Sequence, residues 1–221
     1  MITSHIGKEN VGRIAERIVA NELESHGFFV RDLNLEGLAA NVDLLAVKDK
    51  RLWQIQVKGS SYATAYPDNG WWFQYGYCKD EHIQNPDARM FNKSVGSFTA
   101  EVVVLVCVRS PHEYQFIVLP TKIAEDAAQI VMNYDFRTKK ADRSDHKPGP
   151  VWFDFFGRKA RTPEKVAGIR QEQELVKPFL IDRSRSVAVD KRGQMEAHVS
   201  ELFDRVFMGD EAAPLTDSLR G

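Results

Sequence analysis

The sequence predicts an α/β domain built on a mixed central β-sheet that is flanked by helices. Two observations carry this prediction. Short apolar segments of the first 133 residues have the alternation or the β-branched content of strands, and two longer segments repeat their apolar residues at helical spacing. The predicted order is α-β-β-β-α-β-β-α, in which the middle α is an irregular or helical stretch, and a helical C-terminal extension follows.

The first element is a helix, predicted over residues 11–25. Asn10 is a suitable N-cap and Gly27 a suitable stop. One broad apolar stripe runs along it, made of Val11, Ile14, Ala15, Ile18, Val19 and Leu23.

Three strands follow, and the second and third form a hairpin. They are predicted over residues 28–33, 41–47 and 52–58, with KDKR as a four-residue loop between the last two. The third strand runs into Gly-Ser-Ser, which predicts a break at Gly59.

The next stretch, residues 59–97, is rich in Gly, Pro, Asn, Asp and aromatic residues, and a short helix is expected to begin at Pro86. Residues 100–108 are the most apolar run in the chain, which is typical of a central strand. Another strand is predicted over residues 114–120, and Thr121 is expected to cap the helix that follows.

The pattern divides the chain into three parts. We expect an α/β core over residues 1–133, a polar linker or loop over 134–150, and a mainly helical extension over 151–221. In the extension, VWFDFF is a short aromatic strand or turn, and helices are predicted over residues 163–176 and 194–208.

Composition limits the class of protein. The chain has 221 residues, of which 43% are hydrophobic, enough for one ordinary core and an appendage. No apolar run reaches the roughly 18 residues of a membrane span, and the first residues lack the apolar segment of a secretory signal. The two cysteines have no metal-ligand spacing. We therefore expect a cytoplasmic protein with no membrane partner, in which Cys107 is a buried apolar residue.

The hairpin brings polar side chains together at its open end. With the loop above, Val47 opposes Leu52, and the same register puts Asp43 opposite Gln56, with Lys58 one pleat further along that face. Buried charges need a partner or a metal. Oxygens from Asp43 and Gln56 suit Mg²⁺, and Lys58 would hold or deprotonate an attacking water.

The first helix supplies a third acidic candidate. Glu16 lies at the edge of the apolar stripe and would complete the metal ligands or position the water. Glu22 falls within the stripe and is its rival.

These residues resemble the PD-(D/E)xK nuclease superfamily, whose signature is a glutamate on a helix, an aspartate on one strand and Glu-x-Lys or Gln-x-Lys on the next. The pattern Gly12-x-x-x-Glu16-x-x-Val19 is similar to the opening helix of archaeal Holliday-junction resolvases and related restriction-type enzymes. The resemblance covers about residues 10–133. It assigns catalysis to Glu16, Asp43, Gln56 and Lys58, and metal binding to Asp43, Gln56 and Glu16.

The same resemblance implies an endonuclease that uses Mg²⁺, or Mn²⁺ in its place, to cut DNA to 5′-phosphate products, often as a homodimer or higher homo-oligomer. The sequence departs from the family pattern in two ways. Val42 rather than proline precedes Asp43, while Pro67-Asp68 follows the lysine and is a coincidence in a loop. Gln56 replaces the usual acid, as in Q-x-K members that include methyl-directed restriction and intron-homing enzymes.

Charge is distributed unevenly along the chain. Residues 1–136 carry 13 basic and 17 acidic residues, and residues 137–192 carry 15 and 8. The basic part either tracks a DNA backbone or is an ordinary solvated surface. For the first case, the candidate DNA contacts are Arg137, Lys139, Lys140, Arg143, Arg158, Lys159 and Arg161.

The aromatic run WWFQYGYCK, residues 71–79, has two readings. Its rings could stack on bases, but such residues more often fill a core or an interface, and we favour the second reading. The chain has no P-loop, GxGxxG or GxSxG motif, so no nucleotide cofactor is expected.

Three hypotheses remain open at the level of sequence. The first is a metal-dependent endonuclease. The second is a nuclease fold without catalysis, acting as a nucleic-acid-binding or assembly module. The third is an unrelated α/β domain in which the polar cluster is structural.

Overall fold

The structure, a computed structural model, describes residues 8–33, 42–61, 71–78, 100–110, 113–138, 149–155, 163–183 and 192–209. The helices are α1 (Lys8–Ser25), α2 (Thr121–Thr138), α3 (Pro163–Val176) and α4 (Arg192–Phe203). A 3-10 turn (Lys177–Phe179) follows α3, and a π-helical turn (Asp204–Met208) follows α4. The strands are β1 (Phe29–Asp32), β2 (Leu44–Lys48), β3 (Arg51–Ser61), β4 (Trp71–Cys78), β5 (Val102–Ser110), β6 (Glu113–Pro120), β7 (Gly149–Phe155) and β8 (Leu180–Arg183).

Six strands form a mixed sheet in the order β1-β2-β3-β5-β6-β8. The β3–β5 pair is parallel and the other pairs are antiparallel. A separate two-stranded sheet pairs β4 with β7. The predicted fold class, a mixed sheet flanked by helices, is confirmed.

The β2–β3 hairpin has the predicted register but a shorter loop. Lys48 pairs with Arg51, so only Asp49 and Lys50 connect the strands, and the four-residue loop was wrong. Both connecting residues have positive φ, 51° and 65°, as a type I′ turn requires. The register is unchanged because the strands gain one residue on each side of the loop.

Gly59 does not break β3. The strand continues to Ser61 and pairs in parallel with β5, so the predicted break was wrong. A Cβ atom at position 59 would lie 2.9 Å from both Ala15 Cβ and Val11 O of α1. Glycine is therefore present because α1 lies directly on the strand, and not because the strand ends.

Aromatic rings join one face of the sheet to α1 and the C-terminal elements. The Trp53 ring lies 5.6 Å from Phe207 and from Phe28 between ring centroids. On β6, Phe116 lies 6.5 Å from Phe203 of α4. The C-terminal residues thus close the core on the face that α1 covers.

The opposite face of the central strands is equally buried. Val103 and Leu105 on β5, and Ile117 and Leu119 on β6, are all fully buried, and α2 contacts both strands. Cys107 is buried in β5, which confirms its prediction as an apolar residue. None of the helices in the described part of the chain has the length and apolar character of a membrane span.

Two parts of the chain differ from the sequence prediction. Residues 71–78, expected to be irregular or helical, form β4, whose Phe73 is buried as the core reading of the aromatic run requires. In the C-terminal part, β8 pairs with β6 and becomes an edge strand of the central sheet. The helix expected from Pro86 and most of the predicted linker lie outside the described residues.

Candidate functional site

Three residues of the candidate site, Asp43, Gln56 and Lys58, lie at the open end of the β2–β3 hairpin. Leu44 pairs with Ile55, and the Asp43 amide donates to the Ile55 carbonyl at 2.9 Å. The pairing of β2 with β3 ends there, so the expected pair of Asp43 with Gln56 stays a prediction. Lys58 follows Gln56 by two residues, and alternation along β3 returns its side chain to the same face.

The Asp43 carboxylate is held by the backbone of β3. Its Oδ2 accepts a hydrogen bond of 2.7 Å from the amide of Val57. Because β2 begins only at Leu44, the side chain of Asp43 supplies the acceptor that the next residue of a longer strand would have supplied. The same bond orients the carboxylate toward β3.

Lys58 is half-buried, and its environment lowers the pKa of its ammonium group. Burial lowers the pKa of the Lys58 ammonium below its ordinary value of 10.5, and the negative charge of Asp43 opposes that shift. The opposing effect of Asp43 means that the two charges are close enough to interact. A lysine with a lowered pKa can accept a proton, which an exposed lysine does poorly at neutral pH.

Gln56 lies between these two charged residues in sequence and is 5% exposed. Its burial explains why a neutral amide is tolerated here at lower cost than a carboxylate, which would need a cation beside it. Gln56 is thus the least solvated member of the cluster.

Glu16 lies on the other side of β3. Alternation points Gly59 toward α1, so Gln56 and Lys58 point away from α1. Glu16 is half-buried and follows Ala15, the residue that touches Gly59. It is therefore near the end of β3 that carries Lys58, but on a helix that packs against the opposite face. Its participation in the site stays a prediction.

Glu22, the rival of Glu16, has a different environment. Its carboxylate is 6% exposed, and it accepts hydrogen bonds from the Tyr114 hydroxyl at 2.8 Å and from Arg183 Nε at 2.9 Å. Arg183 also donates to Glu196 of α4. Glu22 therefore belongs to a network that joins α1, β6, β8 and α4.

The sequence analysis found Glu22 but missed the residues around it. A glutamate in an apolar stripe indicates a buried partner, and that signal was present in the sequence. Nothing local identifies the partners, because Tyr114 and Arg183 are 92 and 161 residues away in the chain.

The oxygen atoms of Asp43 and Gln56 are of the type that binds a hard divalent cation. Asp43 offers carboxylate oxygen and Gln56 amide oxygen, and Mg²⁺ commonly takes one or two carboxylates together with water and substrate phosphates. Within the described ranges, no group of three or more His, Cys, Asp or Glu residues is placed to hold a metal ion. Of the described residues, Asp43 and Gln56 are the ones that would hold such an ion in this proposal.

The predicted DNA contacts lie almost entirely outside the described ranges. Arg137 belongs to the last turn of α2. The other six are outside the described residues: Lys139, Lys140, Arg143, Arg158, Lys159 and Arg161.

Residues 11–95 match the family model of the nuclease-related domain (NERD). The matched segment contains all four candidate catalytic residues, Glu16, Asp43, Gln56 and Lys58. The match and the mixed sheet support the nuclease-like fold that the resemblance implied. The match also supports a nuclease, and hence a nucleic acid as the class of substrate.

Among solved structures, a bacterial homing endonuclease, I-Ssp6803I, is similar to this chain at 13% identity with a TM-score of 0.38. The similarity covers 76% of this chain and 91% of that chain. A comparison with curated proteins gives no match.

Proposed function

We propose that this chain is a divalent-metal-dependent endonuclease that hydrolyses DNA phosphodiester bonds. The proposal is supported by one observation: the Asp43 carboxylate accepts a hydrogen bond from Val57, which lies between Gln56 and Lys58 on β3, inside the segment that matches a nuclease-related domain. The lowered pKa of Lys58, caused by its burial, adds a group that can accept a proton beside a carboxylate.

In this proposal, Asp43 and Gln56 hold Mg²⁺, which when bound lowers the pKa of water and offsets charge on the phosphate. Neutral Lys58 accepts a proton at Nζ from the attacking water. The water oxygen forms a bond to phosphorus while the bond from phosphorus to the 3′ oxygen breaks. The 3′ oxygen takes a proton from solvent water and leaves as a hydroxyl, and the other product keeps a 5′-phosphate. Asp43 stays in place because Val57 N–H holds its Oδ2, and Glu16 assists in positioning.

The first test is cleavage of plasmid, linear, single-stranded and four-way-junction DNA with Mg²⁺, Mn²⁺ or EDTA. We expect metal-dependent cutting by wild type, and a loss of about 10²–10⁴-fold in Lys58→Met, because the proton acceptor is gone. Asp43→Asn should also lose cutting. Sedimentation of the same samples measures whether the chain is the expected homodimer.

Matched variants separate loss of chemistry from loss of structure. Asp49→Asn makes the same change in the exposed turn of the same hairpin, where asparagine tolerates positive φ. Lys122→Met removes an exposed lysine of α2. Both should cut like wild type. Equal cutting by Asp43→Asn or Lys58→Met and its control would rule out the proposed site.

A second candidate function is a nuclease fold that binds nucleic acid without cutting it. It is favoured by Gln56, which stands where the family pattern has an acid, and by the small number of acidic ligands within the described ranges. Under this function wild type binds DNA but cuts none of the substrates.

Gln56→Glu distinguishes the two functions when wild type is inactive. A carboxylate at position 56 is a stronger metal ligand than an amide. Cutting that appears in Gln56→Glu, but not in Gln54→Glu on the exposed part of the same strand face, would identify an inactivated catalytic site. Absence of cutting in both variants, with DNA binding retained, would favour the binding module.

A further inference from the structure

An exposed aromatic ring lies on the edge strand β1. Phe29 has 71% of its surface exposed, more than any other large apolar side chain in the described part of the chain. Covering such a ring removes a large apolar area from water, and aromatic pairs gain further energy from stacking. Phe29 is therefore well placed to bind a partner that offers a flat ring of its own.

Phe29 belongs to an apolar row that crosses three strands. Phe29 pairs with Val47 of β2, and Val47 pairs with Leu52 of β3, so the three side chains share one face of the sheet. Leu52 is 49% exposed and Val47 is half-buried. A single exposed apolar residue needs no explanation, but a contiguous row that water reaches is typical of a binding surface.

The apolar row lies on the same face as Lys58. Trp53, the neighbour of Leu52, packs against Phe207 in the aromatic core, so Leu52 points to the opposite face. Alternation along β3 then returns Gln56 and Lys58 to the face of Leu52. The spacing of strands and of residues along them puts the Cα atoms of Phe29 and Gln56 within about 20 Å of each other.

Positive charge accompanies the row. Arg31 follows Phe29 by two residues on β1, so its exposed side chain is on the same face, one pleat nearer to Lys58. The acids at this end of β3, Asp43 and Glu101, each accept a hydrogen bond from a backbone amide of the strand. Cations that follow a backbone and aromatic rings that stack on bases are the combination that binds single-stranded nucleic acids.

We propose that Phe29 stacks on an unpaired base of a nucleic-acid strand whose backbone passes the candidate site, an inference that rests on the proposed function. In a duplex the bases stack on one another, so the ring can stack on a base only where nucleotides are unpaired. Val47 and Leu52 contact the sugar beside that base. The substrate class is therefore a nucleic acid with unpaired nucleotides beside the bond to be cut.

The test is binding measured by fluorescence anisotropy in EDTA, so that nothing is cut, with single-stranded and duplex DNA probes of one length. Phe29→Leu keeps an apolar side chain but removes the aromatic face. Loss of one base–aromatic stack should weaken single-strand binding by about 5- to 140-fold and leave duplex binding unchanged. The slope of log K against log salt should stay at the wild-type value, because no phosphate contact is removed.

Two variants serve as controls. Phe29→Trp keeps an aromatic face and should bind the single strand at least as tightly as wild type. Val166→Ala removes apolar surface from an exposed position of α3 and should change neither affinity. Because these side chains are exposed, every variant should melt at the wild-type temperature, which separates loss of binding from loss of structure.

The outcomes distinguish this inference from the proposed function. If wild type cuts DNA and Phe29→Leu binds the single strand like wild type, the stacking is disproved and the nuclease stands. If wild type binds but does not cut, and Phe29→Leu loses single-strand affinity alone, the stacking stands and the catalytic proposal fails.

Three other results would overturn the inference. The first is an equal loss of single-strand and duplex binding in Phe29→Leu. The second is a change from dimer to monomer in sedimentation of Phe29→Leu, which would make the apolar row an interface between copies of the chain. The third is no binding by wild type to either probe.

Discussion

At the residue scale, the charge balance between Lys58 and Asp43 decides what the candidate site can do. Burial lowers the pKa of the Lys58 ammonium, and Asp43 limits how far it falls. Cleavage that needs the neutral amine should therefore rise with pH and level off below pH 10.5, the ordinary pKa of lysine. A rate that is independent of pH would exclude Lys58 as the proton acceptor.

Asp43→Asn gives a test of this pair that needs neither metal nor substrate. Asparagine keeps an oxygen that can accept from Val57 N–H but removes the charge that raises the pKa of Lys58. The pKa of Lys58, followed by NMR of its side chain, should therefore fall below the wild-type value. Asp49→Asn should leave it unchanged, and a pKa that does not fall in Asp43→Asn would mean that the charge of Asp43 does not raise it.

The lowered pKa of Lys58 also determines how its contribution to the free energy of unfolding changes with pH. The folded-state pKa of Lys58 lies below its unfolded value, so between the two values the unfolded chain binds more protons. The contribution of Lys58 to the free energy of unfolding therefore increases as the pH rises through that window. Below the window the cost of burying the ammonium is fully present.

The sequence alone identified only some of the residues of the candidate site. Asp43, Gln56 and Lys58 could be placed on one face from the hairpin, because opposed strand residues are determined by a short local connection. Glu16 and Glu22 could not be separated in this way. Both lie near the apolar stripe, and only the positions of Tyr114 and Arg183 show that Glu22 is held in a network.

At the element scale, the contact between α1 and β3 depends on the absence of a side chain at Gly59. Gly59→Ala would put a Cβ atom 2.9 Å from the Val11 carbonyl oxygen and from Ala15 Cβ, neither of which can rotate away. We expect a loss of about 1–3 kcal/mol in the free energy of unfolding. Urea unfolding followed by circular dichroism measures it.

Gly12 of α1, the helix that packs on Gly59, provides the matched glycine-to-alanine substitution. A Cβ atom there meets nothing within 4 Å, so Gly12→Ala should stabilise the protein by about 0.5–1 kcal/mol through helix propensity. If both variants changed stability in the same direction, close packing of α1 on β3 would not be the reason for glycine at position 59.

At the scale of the whole molecule, the Arg183 network connects α1 to β8 and α4, which are far apart in the sequence. Arg183 on β8 donates to Glu22 of α1 and to Glu196 of α4. Burial opposes the charge of Arg183, but its hydrogen bonds to Glu196 and Glu22 are sufficient to raise its pKa. The same contacts lower the pKa of Glu196, mainly through its hydrogen bond to Arg183.

Glu196→Gln tests this connection by its pH dependence. The folded-state pKa of Glu196 lies below its ordinary value of 4.5, so its stabilising effect is complete above that pH and is lost as the pH falls through the folded-state pKa. We expect Glu196→Gln to lose about 0.5–1 kcal/mol at pH 7, a modest value because the side chain is half exposed. Chemical unfolding at pH 7 and pH 3 should show the difference shrinking in acid.

Glu201→Gln is the control for that experiment, because it makes the same change at an exposed position of the same helix. It should match wild type within about 0.5 kcal/mol at both pH values. A loss in Glu196→Gln that is equal at the two pH values would mean that the ion pair with Arg183 is not its cause.

By itself, the sequence determined the local features of this protein. The first helix, the strands β1, β2, β3, β5 and β6, and the β2–β3 register all follow from periodicity within a few residues. Even the wrong loop length left the register intact, because Lys48 and Arg51 add one residue to each strand. The candidate cluster could be predicted because its strand residues, Asp43, Gln56 and Lys58, belong to one hairpin.

Only the tertiary structure decided which segments meet. The local sequence around Gly59 predicted a break in the strand. The actual reason for the glycine is its contact with α1, and that contact cannot be seen locally because Ala15 lies 44 residues earlier in the sequence. The entry of β8 into the sheet, and the placement of α1 on the face opposite to Lys58, likewise depend on contacts between distant parts of the chain. Such contacts form where apolar surfaces and buried charges find complementary partners, and no periodicity in a short stretch of sequence specifies those partners.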